Sequence, residues 1–335
     1  MRMLLFSMNI PFIGRAILVS CSLILFGCLD DEESDIEKQR KEDDRLVAEY
    51  LENNNISAER ANAGFYYQKM DAFDAGKEVK NSDIVSFHYE MSLLGGTKIA
   101  VVDETTGPPV KIFYNADRFT IVPAGLNIGL GLMREGESFR LYIPSYLAFG
   151  SFSYQSMIPA NANFILDVEI VKIDTRDEQK ALEITAIEEY IAEKNWDDVV
   201  SFSSGLAYKV MDAGEGSKPR NGNRVTVTYE GTYLDGTVFN KSEAGKPMSF
   251  VIGDKTIIDG FNDGIKLMEE GEKAVLIVPS HLAFGGNVDV VPGQVRKSWL
   301  TDRRITNEIL PYKQVTNQIL PFKTLVYEIE LENVR

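Results

Sequence analysis

Few side chains in this 335-residue chain could do covalent or metal chemistry. Its two cysteines, Cys21 and Cys28, lie together near the N-terminus, so the body has no disulfide framework and no thiolate metal site. Two histidines are too few for a His-rich metal centre: His88 reads as a strand residue, His281 as a surface residue beside a turn. No Ser/His/Asp set or carboxylate pair stands out either, and neither a metal nor a cofactor is expected. Net charge is −15, from 50 acidic against 35 basic residues. Such a surface repels a polyanion, so nucleic acid is not an expected partner. Metal chemistry is likewise not expected to be part of what the chain does.

The first 27 residues read as an address. Arg2 and Arg15 supply positive charge, and Ala16 to Phe26 is an apolar run of 11 residues. That run is too short for the ~30 Å hydrocarbon core but suits a signal peptide. It ends in Leu25-Phe26-Gly27-Cys28, which resembles a bacterial lipobox and marks Cys28 as the expected lipidation site. Residues 28–45 are dense in charge, beginning Leu29-Asp30-Asp31-Glu32-Glu33, and predict a solvated acidic tether. An acidic cluster behind a lipidated cysteine is also similar to the surface-export signal of Bacteroidetes lipoproteins. The expected place is therefore the outer membrane of a Gram-negative bacterium, on its periplasmic or its cell-surface face.

The rest of the chain is one unit written twice. Leu46 to Leu51 recurs as Ala186 to Ile191, and Ile84 to Tyr89 as Arg224 to Tyr229. Leu132-Met133-Arg134-Glu135-Gly136-Glu137 recurs as Leu267-Met268-Glu269-Glu270-Gly271-Glu272. Ile143-Pro144-Ser145-Tyr146-Leu147-Ala148-Phe149-Gly150 recurs as Val278-Pro279-Ser280-His281-Leu282-Ala283-Phe284-Gly285. The offset drifts only from 140 to 135 residues, so the order is collinear and the event is a tandem duplication. The boundaries drawn from it are 46–174 for the first domain, 175–183 for a charge-rich linker with some freedom, and 184–335 for the second.

Within a unit, Val225 to Tyr229 alternates as a strand and Asp235-Gly236 signals a hairpin turn. Ala274 to Val278 reads as a buried strand, and Leu325 to Leu331 closes the unit. Gly260 to Glu270 carries Phe261, Ile265 and Met268 at helical spacing, with Gly271 as its stop. The predicted class is α+β: two tandem domains, each an antiparallel sheet wrapped on one short helix and preceded by an amphipathic helix.

With the elements placed, a family becomes visible. Phe239, Ile257-Ile258-Asp259-Gly260-Phe261, Gly264, Met268 to Gly271, Ala283-Phe284-Gly285 and Ile319-Leu320-Pro321 to Glu330 resemble an FKBP-type peptidyl-prolyl isomerase domain. The likeness covers nearly all of the second unit and, more loosely, the first. The lipobox and leading helices are similar to lipid-anchored Bacteroidetes members, including those associated with gliding motility. The resemblance implies rotation of X-Pro bonds in proline-containing exported polypeptides, as a folding helper held on the membrane through Cys28.

It also implies a site. Tyr229, Phe239, Asn240, Ile257, Ile258, Phe261, Phe284 and Tyr327 would form the catalytic surface, with Met248, Phe250 and Ile319 on the substrate-binding wall. Phe261 stands where many members have tryptophan, under the proline ring, and the backbone N–H of Ile258 would take a substrate carbonyl. Asn240 replaces the usual aspartate and Phe284 the usual tyrosine, which removes two polar handles but keeps the apolar grip.

The first unit departs further. Ile99 replaces the pocket phenylalanine, Ala100 the aspartate, Pro123 the N–H-donating isoleucine and Leu126 the floor aromatic, while Tyr89, Val122, Phe149 and Ile158 remain. Proline has no N–H, so this pocket is expected to be degenerate. The second unit also carries an insertion, residues 286–318, with a ten-residue repeat (Ile305 to Gln314, then Val315 to Thr324). A slipped duplication explains its origin, and its Leu310-Pro311 could occupy the chain's own pocket. The competing reading of the whole chain is a non-catalytic binding or assembly lipoprotein.

Overall fold

A computed structural model describes residues 34–119, 121, 123–153, 157–286 and 321–335. The signal region, Cys28, Val122, Ile319 and nearly all of the 286–318 insertion lie outside the described residues. The first domain runs α1 (Asp35–Asn53), β1 (Glu59–Arg60), β2 (Tyr66–Asp71), β3 (Ile84–Leu93), β4 (Lys98–Val102), β5 (Val110–Phe113), α2 (Ala124–Leu130), β6 (Ser138–Ile143), a 3-10 turn at Ser145–Leu147 and β7 (Phe164–Asp174). The second repeats it: α3 (Arg176–Glu193), β8 (Val200–Ser201), β9 (Ala207–Asp212), β10 (Arg224–Tyr233), β11 (Val238–Lys241), β12 (Met248–Val251), α4 (Asp259–Ile265), β13 (Lys273–Val278), a 3-10 turn at Ser280–Leu282 and β14 (Leu325–Val334).

Each domain is a seven-stranded antiparallel sheet, ordered β1-β2-β6-β7-β3-β4 with β5 also on β3, and β8-β9-β13-β14-β10-β11 with β12 also on β10. The long strands pair where the alternation of the sequence puts one face inward, as in Val225, Val227 and Tyr229, all buried on β10. The short helix crosses that inner face. Gly260 and Gly264 let α4 approach β13, because a Cβ on either would overlap Val278 or Leu276. Gly125 and Gly129 do the same for α2 against Ile143 and Leu141. Helix α4 is shorter than its apolar spacing predicts; Leu267 and Met268 close it with turns onto Gly264 and Ile265. Gly271, at φ 86°, then opens β13.

Two segments differ from their sequence expectation. Residues 35–45, expected as tether, are the first half of α1. Ser34 caps that helix, Asp35 and Glu37 sit in its first turn, and Arg45 pairs with Glu42 and Glu49 at 2.6 and 2.5 Å. Its inner face buries Val47 and Leu51 against Tyr142, and Asp43 is buried as well. The residues expected as linker, 175–183, are likewise the start of α3. β7 ends at Asp174 and Thr175 caps the helix at once: its Oγ1 accepts from Glu178 N at 3.2 Å, and its N–H donates to Glu178 Oε2 at 2.7 Å. A dense run of charge here is one solvated helix face and not a flexible strap.

Candidate active site

The second domain's pocket residues come from five different elements. Tyr229 stands on β10, Phe239 and Asn240 on β11, Met248 and Phe250 on β12, and Tyr327 on β14. Ile257 leads into α4, Ile258 is its N-cap and Phe261 lies in its first turn. Phe284 follows the 3-10 turn. Ten of the eleven predicted residues are therefore placed, and Ile319 lies outside the described residues.

They form one aromatic cluster. Tyr327 is at its centre, with ring centroids 5.1 Å from Phe261, 5.6 Å from Phe239 and 5.9 Å from Tyr229, all edge-on. Phe261 also meets Tyr229 at 5.9 Å and Phe250 at 5.8 Å. Edge-to-face packing of this kind is the favoured aromatic geometry. Ile257, Ile258, Phe261 and Tyr327 are fully buried, whereas Phe239, Met248 and Phe284 are half-buried against the same cluster. The first four thus make the floor and the last three the rim.

Three polar groups are set into this apolar surface. Tyr229 Oη donates to Asn240 Oδ1 at 2.6 Å, so Asn240 keeps a polar contact here that its replacement of the family's usual aspartate was expected to remove. The Tyr327 hydroxyl is buried without a partner among the described residues. Burial pushes its pKa well above the usual 10, and the neighbouring Tyr229 and Tyr233 push the same way, so it stays a neutral phenol. Ile258 sits at φ −60°, ψ 143°, and no acceptor among the described residues takes its backbone N–H. That is a donor at the start of a helix, facing no partner of its own.

Two residues that sequence reasoning passed over help to build the site. Gly231 lies opposite Tyr327 across the β10–β14 ladder. A Cβ there would come within 2.6 Å of the Phe239 ring, so only glycine lets that ring lie on Tyr327. Asn262 pins the turn before Ile257: its Oδ1 accepts from Gly253 N and its Nδ2 donates to Asp254 O, both at 3.0 Å. The Gly231 signal was its place in an otherwise β-branched strand; a buried Asn in a short helix gives no comparable cue.

The corresponding place in the first domain lacks the aromatic floor, with Leu126 where Phe261 stands in the second. Ile99, Ala100 and Leu126 are buried in its core, and Phe149 packs edge-on against Phe164 at 5.4 Å. Tyr89 is buried too, and that burial raises its pKa. Pro123 is the N-cap of α2, at φ −79°, and offers no N–H.

Among the described residues the site is thus an aromatic floor beside a backbone N–H that no acceptor takes, an arrangement that suits an apolar ring next to a carbonyl. A family model described as FKBP-type peptidyl-prolyl cis-trans isomerase matches residues 76–171 and 215–332. The chain is 43% identical over 95 residues to the outer membrane protein MIP of Legionella longbeachae, 28% of this chain and 40% of that protein. Human peptidyl-prolyl cis-trans isomerase FKBP10 is 28% identical over 218 residues, 64% of this chain and 33% of that protein. The crystal structure of FkpA from Escherichia coli is similar at 28% identity and a TM-score of 0.35, over 48% of this chain and 62% of that one. The chain thus spans less than half the length of the two curated relatives. One matched stretch falls on each domain, and the two together take in most of the sequence: the chain belongs to the FKBP-type peptidyl-prolyl cis-trans isomerase family.

Proposed function

We propose that the chain is a peptidyl-prolyl cis-trans isomerase whose second domain acts on X-Pro bonds of exported polypeptides. The observation that carries this is the pairing of a Phe261–Tyr327 floor with an Ile258 N–H that no acceptor among the described residues takes. Amide resonance sets a rotation barrier of ~18–20 kcal/mol, and uncatalysed X-Pro exchange takes tens to hundreds of seconds. Catalysis here needs only tighter binding of the twisted amide than of the planar one. Twisting the bond removes charge separation, so an apolar, water-poor floor favours the twisted form. The Ile258 N–H holds a neighbouring carbonyl and fixes the chain while the prolyl bond turns.

The first domain is assigned a binding or spacing role, because Pro123 and Leu126 take away its donor and its floor. Cys28 is the lipid anchor, on the outer membrane and facing the periplasm or the cell surface. The lipobox-like Leu25 to Cys28 supports this assignment, as does similarity to a protein named as an outer membrane protein. Two experiments test the proposal. Full-length chain should accelerate cis–trans exchange of an X-Pro peptide and lose that activity when the second pocket is altered. Palmitate labelling in a Gram-negative host should depend on Cys28, and equal labelling of a Cys28→Ser chain would remove the anchor from the account.

A further inference from the structure

The helices leading the two domains carry the same buried relay. In the first domain Gln39 Nε2 donates to Asp43 Oδ1 at 2.8 Å, and Ser145 Oγ donates to Asp43 Oδ2 at 2.5 Å. In the second, Gln179 Nε2 donates to Glu183 Oε1 at 2.8 Å, while Ser280 gives Glu183 both its backbone N–H and its Oγ, each at 2.6 Å. Asp43 and Glu183 are both buried, so these bonds are shielded from water.

The relays differ in what fills the glutamine's acceptor. Gln39 Oε1 takes Asn161 Nδ2 from its own domain, at 2.9 Å. Gln179 Oε1 takes Lys111 Nζ, at 2.8 Å, and Lys111 belongs to β5 of the other domain. A contact internal to the first copy is thus replaced by one between copies. Next to it the Arg176 guanidinium lies over the Phe113 ring, 4.4 Å from its centroid. A cavity of about 210 Å³, lined by Phe113, Arg176, Gln179, Glu183, Ser280 and His281, opens beside the relay. Beside this cavity the Lys111–Gln179 hydrogen bond is a directed polar contact between the two domains.

The far end of the relay is the pocket. Ser280 begins the 3-10 turn, and its carbonyl accepts from Ala283 N at 2.9 Å and Gly285 N at 2.7 Å, on either side of Phe284. Whatever holds Ser280 holds the rim residue Phe284. We infer that Lys111 is a positioning residue for the second domain's pocket, and that the first domain sets the Phe284 turn through Lys111, Gln179, Glu183 and Ser280. This rests on the reading that the second domain isomerises.

The test uses the full chain. Lys111→Met keeps an unbranched side chain one atom shorter and loses the donor; Lys111→Arg keeps a donor. Lys111→Met should lower kcat/KM for an X-Pro peptide about 3- to 10-fold and speed hydrogen exchange at the Ser280 and Gly285 amides. Lys111→Arg should stay near wild type. Gln179→Leu should reproduce the Lys111→Met effect, and the double variant should be no worse than either single one. Wild-type rate and exchange in Lys111→Met, or equal loss in Lys111→Arg, would overturn the inference. A wild-type chain with no isomerase activity would instead defeat the function proposed above, and amide exchange at Ser280 would still decide whether the relay exists.

Discussion

Pro123 and Ile258 occupy the same place in the two copies: each is the N-cap of its domain's central helix, at φ −79°, ψ 149° and φ −60°, ψ 143°. Both are extended in the same region of backbone torsion, yet only Ile258 has an N–H to give. Ile258→Pro therefore fits the existing φ and deletes one donor. A hydrogen bond to a bound carbonyl is worth about 1–3 kcal/mol, which is roughly a 10- to 100-fold loss in kcat/KM. Ile258→Val shortens the side chain but keeps the N–H, and should lose less than half of that effect on a logarithmic scale. Equal losses in the two variants would assign the effect to packing.

Phe261→Leu reproduces in the second domain what Leu126 does in the first. Phe261 meets Tyr327, Tyr229 and Phe250 edge-on or tilted, so leucine empties the floor under the prolyl ring. The expected outcome is a drop in kcat/KM of about 10-fold or more, from about 1.4 kcal/mol or more of lost transition-state contact. Stability should fall by about 1–2 kcal/mol, enough to read in a denaturant titration without unfolding the domain.

Tyr327 gives a prediction in pH. Burial raises its pKa above the usual 10, so the folded state keeps a proton that the unfolded state releases. The stability it contributes is present below pH 10 and is lost as pH rises above it, by about 1.4 kcal/mol per pH unit for this one group. Tyr327→Phe should flatten the alkaline slope of unfolding free energy by that amount. Because it also deletes a buried hydroxyl that has no partner among the described residues, it should raise stability at pH 7 by about 1 kcal/mol. An unchanged alkaline slope would mean that the phenol is not buried as described.

Thr175 tests whether β7 runs rigidly into α3. Its side chain and that of Glu178 cap each other, and loss of an N-cap costs about 1 kcal/mol. Thr175→Ala should speed amide exchange in the first turn of α3 and lower the unfolding midpoint modestly. Protection factors unchanged at residues 177–179 would contradict a helical junction.

Much of this was legible in the residues themselves. The duplication, the strand alternation and the order of the pocket aromatics all lie on short local patterns, and Pro123 announces its own missing donor. The helical state of residues 35–45 and 175–183 was not legible, because a run of charge looks the same on a solvated helix as on a tether. What decides between them is the buried carboxylate on the inner face: Asp43 and Glu183 find Ser145 and Ser280, 102 and 97 residues further on. A partner that distant leaves no local trace. Gly231 left a cue as a glycine inside a strand, but its role, to leave room for Phe239 against Tyr327, is a contact between three strands that the local sequence does not show.

The most direct measurement is NMR exchange spectroscopy on a short X-Pro peptide, with catalytic amounts of full-length wild type and of Ile258→Pro. Wild type should broaden and exchange the cis and trans proline signals within the mixing time, and the variant should lose most of that effect while keeping its fold by circular dichroism. Cis and trans signals that exchange no faster with wild type than in buffer alone would contradict the account.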